Sequence, residues 1–132
     1  MVVVDTNVLA YLLIEGDRTA DAQALYARDP DWRTESFLLV EFSNLLATYV
    51  RAARLGSGPA LALLASAERT LAGAVSLPHA RALALAEEFG VSAYDARFLA
   101  VARQLGEKLV TEDAKLRRAA PALTRTLAQA LA

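Results

Sequence analysis

A chain of 132 residues, 55% hydrophobic and 22% charged, has the size and composition of one domain spanning 1–132 with a substantial apolar core, which excludes a disordered chain. It contains no cysteine, which excludes disulfides and thiolate metal sites and fits a reducing, cytoplasmic setting. The formal net charge of −1 speaks against bulk electrostatic capture of nucleic acid, although the basic residues are nearly all arginine, a fit either to bidentate phosphate contacts or to coding bias. No basic segment and apolar run precede Asp5, and no stretch of about 18 uncharged apolar residues occurs, so neither a signal peptide nor a membrane span is expected.

In chain order, Val2–Val4 is too short and too uniformly apolar for a half-exposed strand and reads as a central strand covered on both faces. It ends on Asp5. Thr6–Ile14 reads as a short helix stopped by Glu15-Gly16-Asp17, and a second helix starts at Thr19 or Asp21. After the turn Asp29-Pro30-Asp31, Trp32–Glu35 reads as a strand. Ser36 is expected to cap a long helix to about Arg54, with Leu38, Phe42, Leu45, Leu46 and Tyr49 at helical spacing and Glu41 on or beside that buried stripe. Leu55–Pro59 reads as a loop, Ala60–Leu71 as a helix and Ala74–Leu77 as a strand. Pro78 then suits the first turn of a helix over His79–Phe89, which Gly90 stops. Ser92-Ala93-Tyr94-Asp95 opens another helix, closed by Gly106. Lys108–Thr111 is a second central strand, which delivers Glu112 and Asp113; Ala114–Ala119 is helical, and Leu123–Leu127 is a last edge strand. Strand and helix alternate, so the class is α/β with a parallel sheet.

In such sheets functional side chains gather at the carboxyl ends of the strands. Asp5 and Asp113 lie at those ends, while Glu41 and Asp95 lie on inward-tilted helix faces. Each has an ordinary structural reading as well. Asp5 and Asp113 suit helix N-caps, Ser92-x-x-Asp95 has the form of a capping box, and Glu41 can pair with an arginine or snorkel out. Taken together, four carboxylates meeting at one rim would repel, and only a cation filling the gap would keep them ionised near neutral pH. Hard divalent ions with oxygen ligands, Mg²⁺ or Mn²⁺, suit such a set. They support attack by activated water on phosphate esters.

Four pieces occur in order: Val4-Asp5-Thr6-Asn7-Val8-Leu9, Glu41, Ser92-Ala93-Tyr94-Asp95-Ala96 with Phe98-Leu99-Ala100, and Leu109-Val110-Thr111-Glu112-Asp113. In these the chain resembles the PIN-domain ribonucleases, in particular the toxin subunit of VapBC-type toxin–antitoxin pairs. The resemblance implies a three-layer α/β/α sandwich around a short parallel sheet and a metal-dependent endoribonuclease. It implies Asp5 and Asp95 as principal ligands of one or two Mg²⁺ or Mn²⁺ ions, with Asp113 and Glu41 binding directly or through water. Thr111 matches a hydroxyl near the site, and Glu112 is expected to face solvent. RNA as substrate, a homodimer and a small antitoxin that blocks the pocket are also implied. Arg97, Arg18 and Arg51 are the arginines considered for RNA contact, with surface salt bridges as the competing role.

Two other readings stay open. A phosphatase of the haloacid dehalogenase type also starts with an apolar strand ending in a nucleophilic aspartate. It expects a second aspartate where this chain has Asn7, and a lysine that Lys108 and Lys115 do not plainly supply. The other is a non-catalytic binding module on the same fold. His79, the only histidine, reads as a surface or capping residue, and Trp32 and the tyrosines read as core or interface positions, since no basic residues interleave with them.

Overall fold

Val3 and Val4 have no exposed surface in the computed structural model, which describes residues 1–132. They belong to strand β1 (Val2–Val4), the middle of a five-stranded sheet that also contains β2 (Trp32–Glu35), β3 (Leu71–Val75), β4 (Leu109–Val110) and β5 (Thr124–Arg125). The spatial order is β3-β2-β1-β4-β5 and every pairing is parallel. Parallel neighbours need crossovers, and the chain supplies helices for them. These are α1 (Thr6–Leu13), α2 (Thr19–Arg28), α3 (Phe37–Arg51), α4 (Ser57–Thr70), α5 (His79–Phe89), α6 (Ala93–Leu105), α7 (Ala114–Ala119) and α8 (Leu127–Leu131).

The steps from β1 to β2 and from β2 to β3 run one way across the sheet, while those from β3 to β4 and from β4 to β5 run the other. Right-handed crossovers therefore place α1–α4 on one face and α5 and α6 on the other. The packing agrees: α1 lies against α2, α3 and α4, while α6 lies against α5, β1, β2 and β4. Buried on the two sides are Val8, Leu9, Leu38 and Phe42, and Phe98, Leu99 and Ala102. This is the expected three-layer α/β/α arrangement. None of its helices is long and apolar enough to cross a membrane.

Several boundaries differ from expectation, each for a local reason. Ser36 does not cap α3: its backbone is helical and its side chain bonds Ser76, while the Glu35 carboxylate accepts from the Phe37 amide at 2.6 Å. The helix stops at Arg51 because Ala53 adopts a left-handed conformation (φ 57°). Helix α4 begins at Ser57, inside the expected loop, since Pro59 falls in the first turn, where an amide hydrogen has no helical partner to lose. Strand β3 lies at 71–75 rather than 74–77. Gly16 is not a left-handed stop; α1 ends where Ile14 turns extended. Gly90 and Gly106, by contrast, do close α5 and α6 with φ of 66° and 70°, angles that cost glycine little. The last strand covers only Thr124–Arg125; a capping box of Thr126 with Gln129 turns Leu127 into α8.

Candidate active site

The strand order reverses between β1 and β4, and parallel α/β sheets open their ligand crevice at the carboxyl ends flanking such a point. Asp5 follows β1 there. It is nearly buried, with Oδ1 accepting from the Val8 amide (3.1 Å) and Oδ2 from the Thr111 hydroxyl (2.5 Å). Thr111, just past β4 and fully buried, also accepts from the Asp113 amide at 3.1 Å. One hydroxyl thus links the two strand-end acids. Asp113 caps α7 by accepting from the Lys115 and Leu116 amides at 2.9 and 3.2 Å. The structural readings of Asp5 and Asp113 as N-caps are therefore correct, and capping holds each carboxylate in place at the rim.

Glu41, on α3, accepts from the Thr6 hydroxyl at 2.6 Å. Asp95, on the first turn of α6, donates its amide to Ser92 Oγ at 3.0 Å, so Ser92 caps the helix. All four acids line a single cleft of about 540 Å³, together with Thr6, Asn7, Phe37, Tyr94 and others, and no lysine or arginine lines it.

The electrostatics follow from this geometry. Burial raises the Asp5 pKa from 3.8 to about 6; the hydrogen bonds from Thr111 and Val8 oppose the rise, and the charges of Asp113 and Glu41 add to it. Burial also raises Asp95, reinforced by Asp113 and opposed by its bond with Ser92 and by Lys115. The donor set, carboxylates in an anionic cleft without a basic side chain, fits a hard divalent cation. The expected tight convergence is nevertheless corrected: no three Asp, Glu or His side chains form a group that could together hold a metal ion. Asp5, Asp113 and Glu41 are each tied to hydrogen-bond donors, and uncompensated carboxylates repel.

The PIN domain family matches residues 2–121. The chain belongs to this family. PIN domains are generally nucleases, and the cleft at the reversal of strand order is where the PIN fold of this chain gathers its acids. Among solved structures, the crystal structure of PAE2754 from Pyrobaculum aerophilum superposes with a TM-score of 0.79 at 22% identity, over 98% of this chain and 90% of that one. It shares the fold. No curated protein matches this PIN domain significantly.

The remaining residues singled out from the sequence distribute differently. Arg97 is not a free basic residue: it packs against Glu35 at 3.4 Å, donates to the Leu77 carbonyl and meets His79 Nδ1 at 2.6 Å. His79 is therefore engaged at this cluster. Arg18 pairs with Glu112, and Arg51 is exposed and donates to Thr48. Glu112 does not face solvent as expected. One oxygen binds Arg18 and the other accepts from the Leu127 amide at 2.9 Å, so it ties α8 to the end of β4. Trp32 is core, edge-on to Tyr26 at 5.4 Å, whereas Tyr94 is 62% exposed.

Glu35 was not singled out, although it too ends a strand as an acid. It is 1% exposed and does not line the cleft. Its oxygens accept from the Phe37 and Leu77 amides (2.6 and 3.1 Å) and face Arg97, joining β2, α3, the segment after β3 and α6. The legible signal was its position, equivalent to that of Asp5 on the neighbouring strand. Glu35→Gln sets an amide donor against backbone donors. It is expected to cost roughly 1–3 kcal/mol, read as a lower urea midpoint at unchanged slope.

Proposed function

We propose that this PIN domain is a metal-dependent endoribonuclease and the toxin of a toxin–antitoxin pair. The single observation that carries the catalytic part is that Asp5, Glu41, Asp95 and Asp113, delivered by four separate segments, line one cleft that no lysine or arginine lines. In this reading Asp5 and Asp95 are the principal ligands of Mg²⁺ or Mn²⁺, and Asp113 and Glu41 bind directly or through water. The lack of a ready three-carboxylate group is compatible with this, because Mg²⁺ usually keeps several waters and takes only one or two carboxylates from the protein. A bound ion supplies an activated water and offsets charge on the phosphate and the leaving oxygen. Thr111 holds Asp5 by its hydroxyl, and Asp113 by accepting from its amide. Attack by water rather than by the neighbouring ribose hydroxyl leaves no covalent enzyme intermediate and no cyclic phosphate.

The same unneutralised cleft suits an antitoxin that inserts an arginine, whose planar fork pairs with carboxylates. A homodimer completes the proposed assembly. The test of catalysis uses end-labelled single-stranded RNA. Cleavage is expected with Mn²⁺ or Mg²⁺, is expected to stop with a chelator and resume on adding metal back, and should give products without a 2′,3′-cyclic phosphate. Cleavage that persists in chelator overturns the metal requirement. No cleavage with any RNA or metal favours a binding module on the PIN fold.

A further inference from the structure

The rim of the acid cleft carries an aromatic pair. Tyr94, adjacent to Asp95 on α6, lies on Phe37 at the start of α3 with ring centroids 5.2 Å apart and planes 9° from parallel. Both rings line the cleft, and Tyr94 remains 62% exposed. Phe37 stacks on one face of the ring with an offset, and most of the Tyr94 side chain stays open to solvent. The backbone beneath the pair is anchored, because Glu35 accepts from the Phe37 amide and is itself held by the Leu77 amide and Arg97. The exposed ring thus stacks on a residue whose backbone is held in place.

We propose that Tyr94, backed by Phe37, is a stacking platform for one unpaired nucleobase beside the scissile phosphate, and that it selects single-stranded over duplex substrate. This rests on the nuclease reading of the cleft. Charge favours such a platform: the chain carries a net −1, and the cleft is lined by four carboxylates and no basic side chain. Beyond what a bound cation offsets at one phosphate, no side chain of the cleft neutralises the backbone, the usual source of nucleic-acid affinity. Base stacking on an aromatic ring supplies affinity without positive charge and tolerates any base. Exposed Asn7 and Asn44 line the same cleft and offer amides to base edges. A base inside an A-form duplex stays stacked on its neighbours and does not reach such a ring, whereas loops and single strands present splayed bases.

The test uses a short single-stranded RNA with 2-aminopurine placed in turn at each position, added to the protein in chelator, so that binding is read without turnover. Quenching is expected at one position with wild type and is expected to be lost with Tyr94→Leu. Tyr94→Phe, which keeps the ring, recovers it. With metal present, Tyr94→Leu is expected to raise KM roughly 5- to 150-fold with kcat within about twofold. An abasic nucleotide at the quenched position should reproduce that loss in wild type and add little in Tyr94→Leu. Unchanged KM and quenching in Tyr94→Leu, with wild type cleaving normally, overturns the platform and leaves the nuclease reading intact. A change only in self-association by sedimentation assigns the ring to contact with a second copy and also overturns it. Quenching without cleavage in any metal supports the platform and counts against the nuclease reading.

Discussion

Asp5→Asn is expected to cut RNA cleavage by roughly 100-fold or more, beyond the 10- to 100-fold typical of losing an outer-shell group at a metal site. At neutral pH it is also expected to make the metal-free protein more stable. The two effects share one cause. Asp5 lies almost wholly inside the protein at the end of β1, with one oxygen on Val8 and one on Thr111, and its pKa is raised from 3.8 to about 6. A raised pKa in the folded state means that folding binds a proton more tightly than the unfolded chain does. The stabilisation is full below pH 4 and is lost as pH rises through about 6, so at pH 8 the ionised carboxylate destabilises the fold by roughly 3 kcal/mol, at 1.36 kcal/mol per unit. Asparagine keeps the shape and removes the charge. Some of the gain is offset by weaker hydrogen bonds to Val8 and Thr111. The expected net effect in chelator is about 1–2 kcal/mol of added stability at pH 8 and none below pH 4. Urea melts of both proteins at the two pH values measure it. Loss of stability at pH 8 would mean that the hydrogen bonds from Val8 and Thr111 outweigh the cost of burying the charge.

Divalent ions are expected to reverse that deficit in the wild type. A ligand at about 100 times its dissociation constant stabilises by about 2.7 kcal/mol, which for a chain of this length corresponds to a rise in Tm of roughly 10 °C. The rise should be larger at pH 8 than at pH 5, since a proton on Asp5 competes with the metal. It should be strongly reduced in Asp5→Asn and in Asp95→Asn. Glu112→Gln is the control: Glu112 is an acid only one residue from Asp113, but its oxygens bind Arg18 and the Leu127 amide, so it should lose some stability and keep the metal response. Scanning fluorimetry against Mn²⁺ and Mg²⁺ reads all of this. A wild-type Tm indifferent to both ions at millimolar concentration, at pH 8, would remove metal binding from the cleft.

Much of the fold was legible because its signals are local. Val2–Val4 announces a covered central strand by lacking any polar alternation, and it is the middle strand. Gly90 and Gly106 mark helix ends through backbone angles, and the apolar spacing of α3 and α6 marks the buried faces. The acids at strand ends were visible for the same reason. The Thr126-x-x-Gln129 capping signature was equally local and identifies α8, yet the extended look of Leu123–Leu127 masks it. Ser36 misleads because it has the right residue type for a cap, while Glu35 one position earlier reaches the Phe37 amide instead.

By itself, the sequence determined most of the alternation of strands and helices, and from it the α/β class with a parallel sheet, together with the acids Asp5 and Asp113 at strand ends, because these signals depend on neighbours within about one helical turn or one strand. Only the tertiary structure decided which acids face the cleft and which are locked in internal bonds. Glu41 meets Thr6 across 35 positions, Arg97 meets Glu35 across 62, and Thr111 meets Asp5 across 106. Those meetings follow from the strand order β3-β2-β1-β4-β5, and residue spacing along the chain carries no record of it.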